Sequence, residues 1–64
     1  MTVIIEYATI SPAVLENIIM NAVPNAFCYV NDIDEDYFEF VVCSWLPMNS
    51  CELAQVKKIL AQYV

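Results

Sequence analysis

Nine consecutive residues restrict what this chain can become: Tyr37-Phe38-Glu39-Phe40-Val41-Val42-Cys43-Ser44-Trp45. The run is aromatic and β-branched and contains neither Gly nor Pro, the composition of a strand. Strand alternation sets Phe38, Phe40 and Val42 on one face and Tyr37, Glu39, Val41, Cys43 and Trp45 on the other. Glu39 is the only charge, so both faces are largely apolar. A strand that is apolar on both faces belongs at the centre of a sheet, and the rest of the chain must flank it.

The flanking segments fit that role. Thr2 to Ala8 reads as a first strand, with Val3, Ile5 and Tyr7 toward the core and Glu6 outward. Ser11-Pro12 predicts a helix start, with Ser at the N-cap and Pro at the first helical position, where its missing N–H leaves no bond unmade. Leu15, Ile18, Ile19 and Ala22 then recur at helical spacing, opposite Glu16, Asn17 and Asn21. Val23-Pro24 ends this helix, because a residue before Pro is pushed out of the α region. Ala26 to Asn31 is a second strand. After Pro47, Asn49 and Glu52 have the spacing of a capping box. The helix they open points Leu53, Val56, Ile59, Leu60 and Tyr63 inward and Gln55, Lys58 and Gln62 outward. Lys57 and Lys58 fall in its C-terminal half, where the helix dipole favours cations.

The order is β-α-β-β-α in one domain, residues 1–64. A right-handed crossover leaves the first two strands parallel, with a gap between them for the third running the other way. The expected fold is therefore α+β: a three-stranded antiparallel sheet of order 1-3-2 with two helices on one face, a ferredoxin-like unit without its last strand. The other sheet face is left open. Pairing Asn31 with Asp36 would set Phe27 and Tyr29 beside Phe38 and Phe40, and Ala26, Cys28 and Val30 beside Tyr37, Glu39 and Val41. That register implies a four-residue loop, Asp32 to Glu35. With no Gly in the chain, a two-residue Asn-Gly or Asp-Gly turn is excluded.

Composition narrows the chemistry. A chain of 64 residues buries only about 60% of its unfolded surface, so its stability margin is thin. With 61% apolar residues it still forms a core, and it can leave apolar surface for a partner. There is no His, Gly or Arg. The commonest general base and metal ligand, the phosphate-cradling loops and the guanidinium clamp are all missing, so no enzyme, cofactor or metal site is expected. Cys28, Cys43 and Cys51 are odd in number and unpaired in pattern, which fits reduced thiols in the cytoplasm. The N-terminus lacks a signal-peptide pattern, and no apolar run nears the roughly 18 residues of a membrane span.

The formal net charge is −6, and five carboxylates fall within eight residues: Asp32, Asp34, Glu35, Asp36 and Glu39. This disfavours direct contact with nucleic acid or an anionic membrane and favours a basic partner. Asp32, Asp34 and Asp36 have the spacing that opens a calcium-binding loop, but Tyr37 and Cys43 stand where that loop needs Gly and Glu. A solvated turn that blunts edge pairing is a second reading. The third is a partner-facing patch. Unit charges about 6 Å apart in water repel by roughly 0.7 kcal/mol, and several such pairs would cost the fold on the order of 1–3 kcal/mol. Alternate strand residues stand about 6.6 Å apart, close to two phosphate steps of about 3.4 Å along one DNA strand.

On the open face, Tyr37 and Trp45 are candidate anchors, since large aromatics dominate interfaces. Alternatively Ile4, Val41, Cys43 and Trp45 could lie under an irregular segment or against a second copy. In length, charge, the Asp32 to Glu39 cluster and the lack of catalytic residues, the chain resembles small acidic phage proteins that block bacterial defence, particularly anti-CRISPR proteins that imitate DNA. The resemblance implies a stoichiometric inhibitor, monomer or homodimer, that occupies the basic nucleic-acid channel of an effector complex in the host cytoplasm. Lys57 and Lys58 depart from an all-acidic surface. The competing reading is a structural or regulatory subunit that buries its open sheet face in an assembly.

Overall fold

A computed structural model describes residues 1–64 as β1 (Thr2–Glu6), α1 (Pro12–Ala22), β2 (Ala26–Asp32), β3 (Tyr37–Ser44) and α2 (Ser50–Leu60). β3 is the centre of a three-stranded antiparallel sheet of order β1-β3-β2, as its two apolar faces require. Phe38, Phe40 and Val42 are buried in the main core with Ile5, Leu15, Ile19, Val23, Ala26, Val56 and Leu60. Both helices thus contribute to one core on one face of the sheet. On the other face Val41 is also buried, at 7% exposure, because the flanking strands shield it even without a covering layer.

Local signals set the helix limits. The Ser11 hydroxyl accepts the Val14 N–H at 3.4 Å, and Val23 closes α1 by donating to the Ile19 carbonyl at 2.8 Å. Ala22, expected inward, is exposed, and the next residue, Val23, is buried in its place. At the start of α2 both bonds of the capping box form: Glu52 N–H to Asn49 Oδ1 at 2.8 Å, and Asn49 N–H to Glu52 Oε1 at 3.1 Å. Val56 and Leu60 face the core, while Lys57 and Lys58 are exposed in the last turn.

The β2–β3 register differs from the one expected. Cys28 lies opposite Val42, Val30 opposite Phe40 and Asn31 opposite Glu39. An odd shift flips every side chain of β2. Ala26, Cys28 and Val30 therefore face the helices, and Phe27, Tyr29 and Asn31 share the open face with Cys43, Val41 and Glu39.

Three physical reasons favour this register. First, α1 packs against β2, and small side chains fit beneath Leu15 and Ile19. Phe27 and Tyr29 in that layer would overpack it, at a typical cost of about 1–3 kcal/mol. Second, the Asn25 side-chain amide donates to the Leu46 carbonyl at 2.9 Å and accepts the Leu46 N–H at 3.0 Å, while the Trp45 N–H donates to the Asn25 carbonyl at 3.0 Å. Third, the Asp34 carboxylate accepts the Asp36 N–H at 3.2 Å, an Asx-type turn that accommodates the longer connection between the paired Asp32 and Phe38.

Candidate functional site

The two strand pairings concentrate negative charge at one end of the sheet. Asp32, Asp34, Glu35 and Asp36 are all exposed around the β2–β3 turn, and Glu39 is half-buried on the open face just inside it. Glu6 joins them, because the last residue of β1 lies directly across from Tyr37, the first of β3. It is diagonal to Glu39, which pairs with Ile4, so their Cβ atoms are within about 7–8 Å. Glu6 was legible in the sequence as an outward residue, but only the β1–β3 register brings it into the acidic cluster.

Tyr7 ties the turn to the body of the protein. Its ring packs on Phe38 with centroids 4.8 Å apart, and its hydroxyl donates to Asp32 Oδ1 at 2.9 Å. That hydrogen bond first, then partial desolvation and the Asp32 charge, raise the Tyr7 pKa above its ordinary value. The Tyr7 N–H also donates to the Asp36 carbonyl at 2.9 Å. A wide, shallow depression of about 490 Å³ lies over this contact, lined by Tyr7, Asp32, Ile33, Asp34 and Glu35. Glu39 accepts a hydrogen bond from the Asn31 amide at 3.0 Å. Asp32 is hydrogen-bonded to a phenol, Glu39 to an amide and Asp34 to one backbone N–H, and none of these contacts involves Lys57 or Lys58.

Only Asp32 and Glu39 of the five clustered acids lie on strands, and they face opposite sides of the sheet. Strand spacing therefore does not set the acids at DNA-like intervals; the turn sets them. Nor do Asp32, Asp34 and Asp36 converge, since no group of three or more His, Cys, Asp or Glu side chains is placed to hold a metal ion.

Trp45 is not part of this cluster. It follows the last residue of β3, and eight strand residues at about 3.3 Å each put it roughly 26 Å from the acidic turn. There its ring stacks on Phe27, with centroids 4.3 Å apart and planes 35° from parallel. Trp45 is 71% and Leu46 70% exposed, and hydrogen bonds with Asn25 fix the backbone of both. The sequence had shown Trp45 but neither Phe27 nor Leu46, because the assumed register turned Phe27 inward. Asn25, the residue after the Val23-Pro24 helix stop, fastens this apolar end. The candidate residues thus form two surfaces, Asp32, Asp34, Glu35, Asp36, Tyr37 and Glu39 at one end and Trp45 at the other.

The cysteines are free, and Cys28 and Cys43 point to opposite faces of the sheet, which prevents a bond between them. Burial first, then the nearby Glu16 charge and Cys43, push the Cys28 thiol up to about 11. Its reactive thiolate is therefore scarce at pH 8 and increases only as the pH approaches 11. Titration of the denatured, unreduced protein is expected to find three thiols. In the native protein at pH 8 the exposed Cys51 is expected to be alkylated well before Cys28. A count of one thiol, or Cys28 reacting first, would contradict this placement.

No helix is long and apolar enough to cross a membrane. Comparisons with protein-family models, curated proteins and solved structures found no match.

Proposed function

We propose that this chain is a small, acidic, non-catalytic inhibitor, phage-encoded and of the anti-CRISPR type, that occupies a basic nucleic-acid-binding surface of a host defence complex. The observation that carries this reading is the gathering of Asp32, Asp34, Glu35, Asp36, Glu39 and Glu6 at one end of the sheet, with no lysine among their hydrogen-bond partners. Charge held in this way repels itself and draws a cationic surface. The imitation of DNA lies in the density of negative charge, and the site of action is the host cytoplasm.

The test is competition against DNA on purified CRISPR effector complexes. Equimolar protein is expected to abolish DNA binding, and excess DNA to restore it. Association is expected to fall steeply with added salt, from the steered range near 10⁸ M⁻¹s⁻¹ toward about 10⁵–10⁶ M⁻¹s⁻¹. Failure to compete with DNA on any such complex would count against the proposal.

A second reading is supported by the exposed apolar group of Phe27, Trp45 and Leu46, continued along the open face by Ile4 and Tyr29. A structural subunit would bury this group in an assembly, and its association would be insensitive to salt.

A further inference from the structure

A recess of about 420 Å³, more enclosed than the depression over the turn, lies at the corner of the sheet where β1 ends and β3 begins. Its lining is Ile4, Glu6, Thr9, Tyr37, Tyr63 and Val64. Ile4, Glu6 and Tyr37 belong to the open face, as the pairs Ile4–Glu39 and Glu6–Tyr37 establish. Tyr63 comes from the other side, beyond the end of α2, where it also packs on the main core. One recess lined from both faces must lie at the free edge of β1, the outermost strand on that side. The residues after α2 reach this edge through a tight turn, with Tyr63 N–H to Leu60 O at 3.0 Å and Val64 N–H to Leu60 O at 3.1 Å.

The lining has a specific chemistry. Two phenol rings and one carboxylate, with Ile4 and Val64 as apolar walls, suit a side chain with an apolar stem and a flat cationic head. Arginine fits best, because a guanidinium can stack on an aromatic face while its edge forms paired hydrogen bonds to a carboxylate. Charge complementarity supports the same occupant. Asp36 immediately precedes Tyr37, Glu39 is the next outward residue of β3, and neither Lys57 nor Lys58 lines the recess.

We propose that this recess receives a single arginine side chain from a protein partner, seated between Tyr37 and Tyr63 with its guanidinium on Glu6. The inference rests on the reading of a basic protein partner and deepens it. The acidic turn steers the encounter over long range, and the recess reads one residue at contact.

The experiment uses the whole chain, labelled with ¹⁵N, and the blocked peptide acetyl-Gly-Arg-Gly-amide as probe, with acetyl-Gly-Gln-Gly-amide as control. Saturable amide shift changes centred on Ile4, Glu6, Tyr37 and Tyr63 are expected with the arginine peptide only. Glu6→Gln is expected to weaken binding about fivefold, the upper end for an exposed ion pair. Glu35→Gln removes the same charge from the turn and should leave the affinity within about twofold. Tyr37→Phe keeps the aromatic face and should retain binding, and Tyr37→Leu should lose it; the spectra also show whether each variant is folded. Several results would overturn the proposal: no saturable change, an equal response to the glutamine peptide, changes centred on Asp32–Asp36, or equal losses in the two Glu variants. Its fate is separable from that of the inhibitor. Arginine binding without any competition against DNA would leave the recess standing and remove the inhibitor. Competition that is indifferent to Glu6→Gln would do the reverse.

Discussion

Phe40→Ala is expected to leave the chain without a cooperative unfolding transition at 25 °C. Phe40 has no exposed surface and sits mid-way along the central strand, across from Val3 on β1 and Val30 on β2. Its ring meets Phe38 edge-on, with centroids 6.2 Å apart. Removing a buried Phe ring costs about 3–5 kcal/mol, because the cavity closes only in part. A core this small rarely supplies more than about 3–5 kcal/mol in total, so the loss is comparable to the whole margin. Trp45→Ala removes a larger ring, but an exposed one, and should move the melting temperature by only a few degrees. Circular dichroism melts of the two variants check the contrast. A sharp transition for Phe40→Ala near that of the parent would place the core elsewhere.

That contrast also marks how far the sequence could be read. The element order, the central place of the strand expected over Tyr37 to Trp45, which ends at Ser44, and both helix caps were legible, because each rests on a local pattern: apolar alternation, Ser before Pro, and Asn three residues before Glu. The β2–β3 register was not. Matching Phe27 and Tyr29 to Phe38 and Phe40 treats hydrophobicity as the only criterion, whereas volume decided the outcome. The layer beneath α1 admits Ala26, Cys28 and Val30. The contacts that secure the register, from Asn25 to Leu46 and from Asp34 to Asp36, join polar side chains to backbone, and such bonds leave no periodic trace. The site was legible only in part, for a separate reason. The acidic turn was visible as a run of charge, but Glu6 and Tyr63 reach their places only through the tertiary fold, and Trp45 belongs to the far end.

Replacing Asp34, Glu35 and Asp36 with Asn, Gln and Asn should separate binding from stability. The substitutions take the formal charge from −6 to −3. They also keep the turn, because Asp34→Asn retains a side-chain oxygen that can accept the backbone N–H two residues on, as the Asp34 carboxylate does. Like charges about 6 Å apart repel by roughly 0.7 kcal/mol in water, less once salt screens them, so the fold should gain stability on the order of 1 kcal/mol. In a domain of this size that corresponds to a melting temperature about 4–8 °C higher. Binding to a basic effector surface should move the opposite way. Three exposed ion pairs at up to about 1 kcal/mol each amount to as much as about 100-fold in affinity, with much of the change in the association rate. Glu16→Gln, on α1 beside Cys28, is a control that should leave binding intact. A chelator should also change nothing, whereas a calcium-dependent turn would lose its partner. Higher stability together with lost binding is the behaviour of charge that serves a partner at the expense of the fold. If the variant instead binds as well as the parent, the acidic turn is a solvated loop, and Phe27, Trp45 and Leu46 at the opposite end become the working surface.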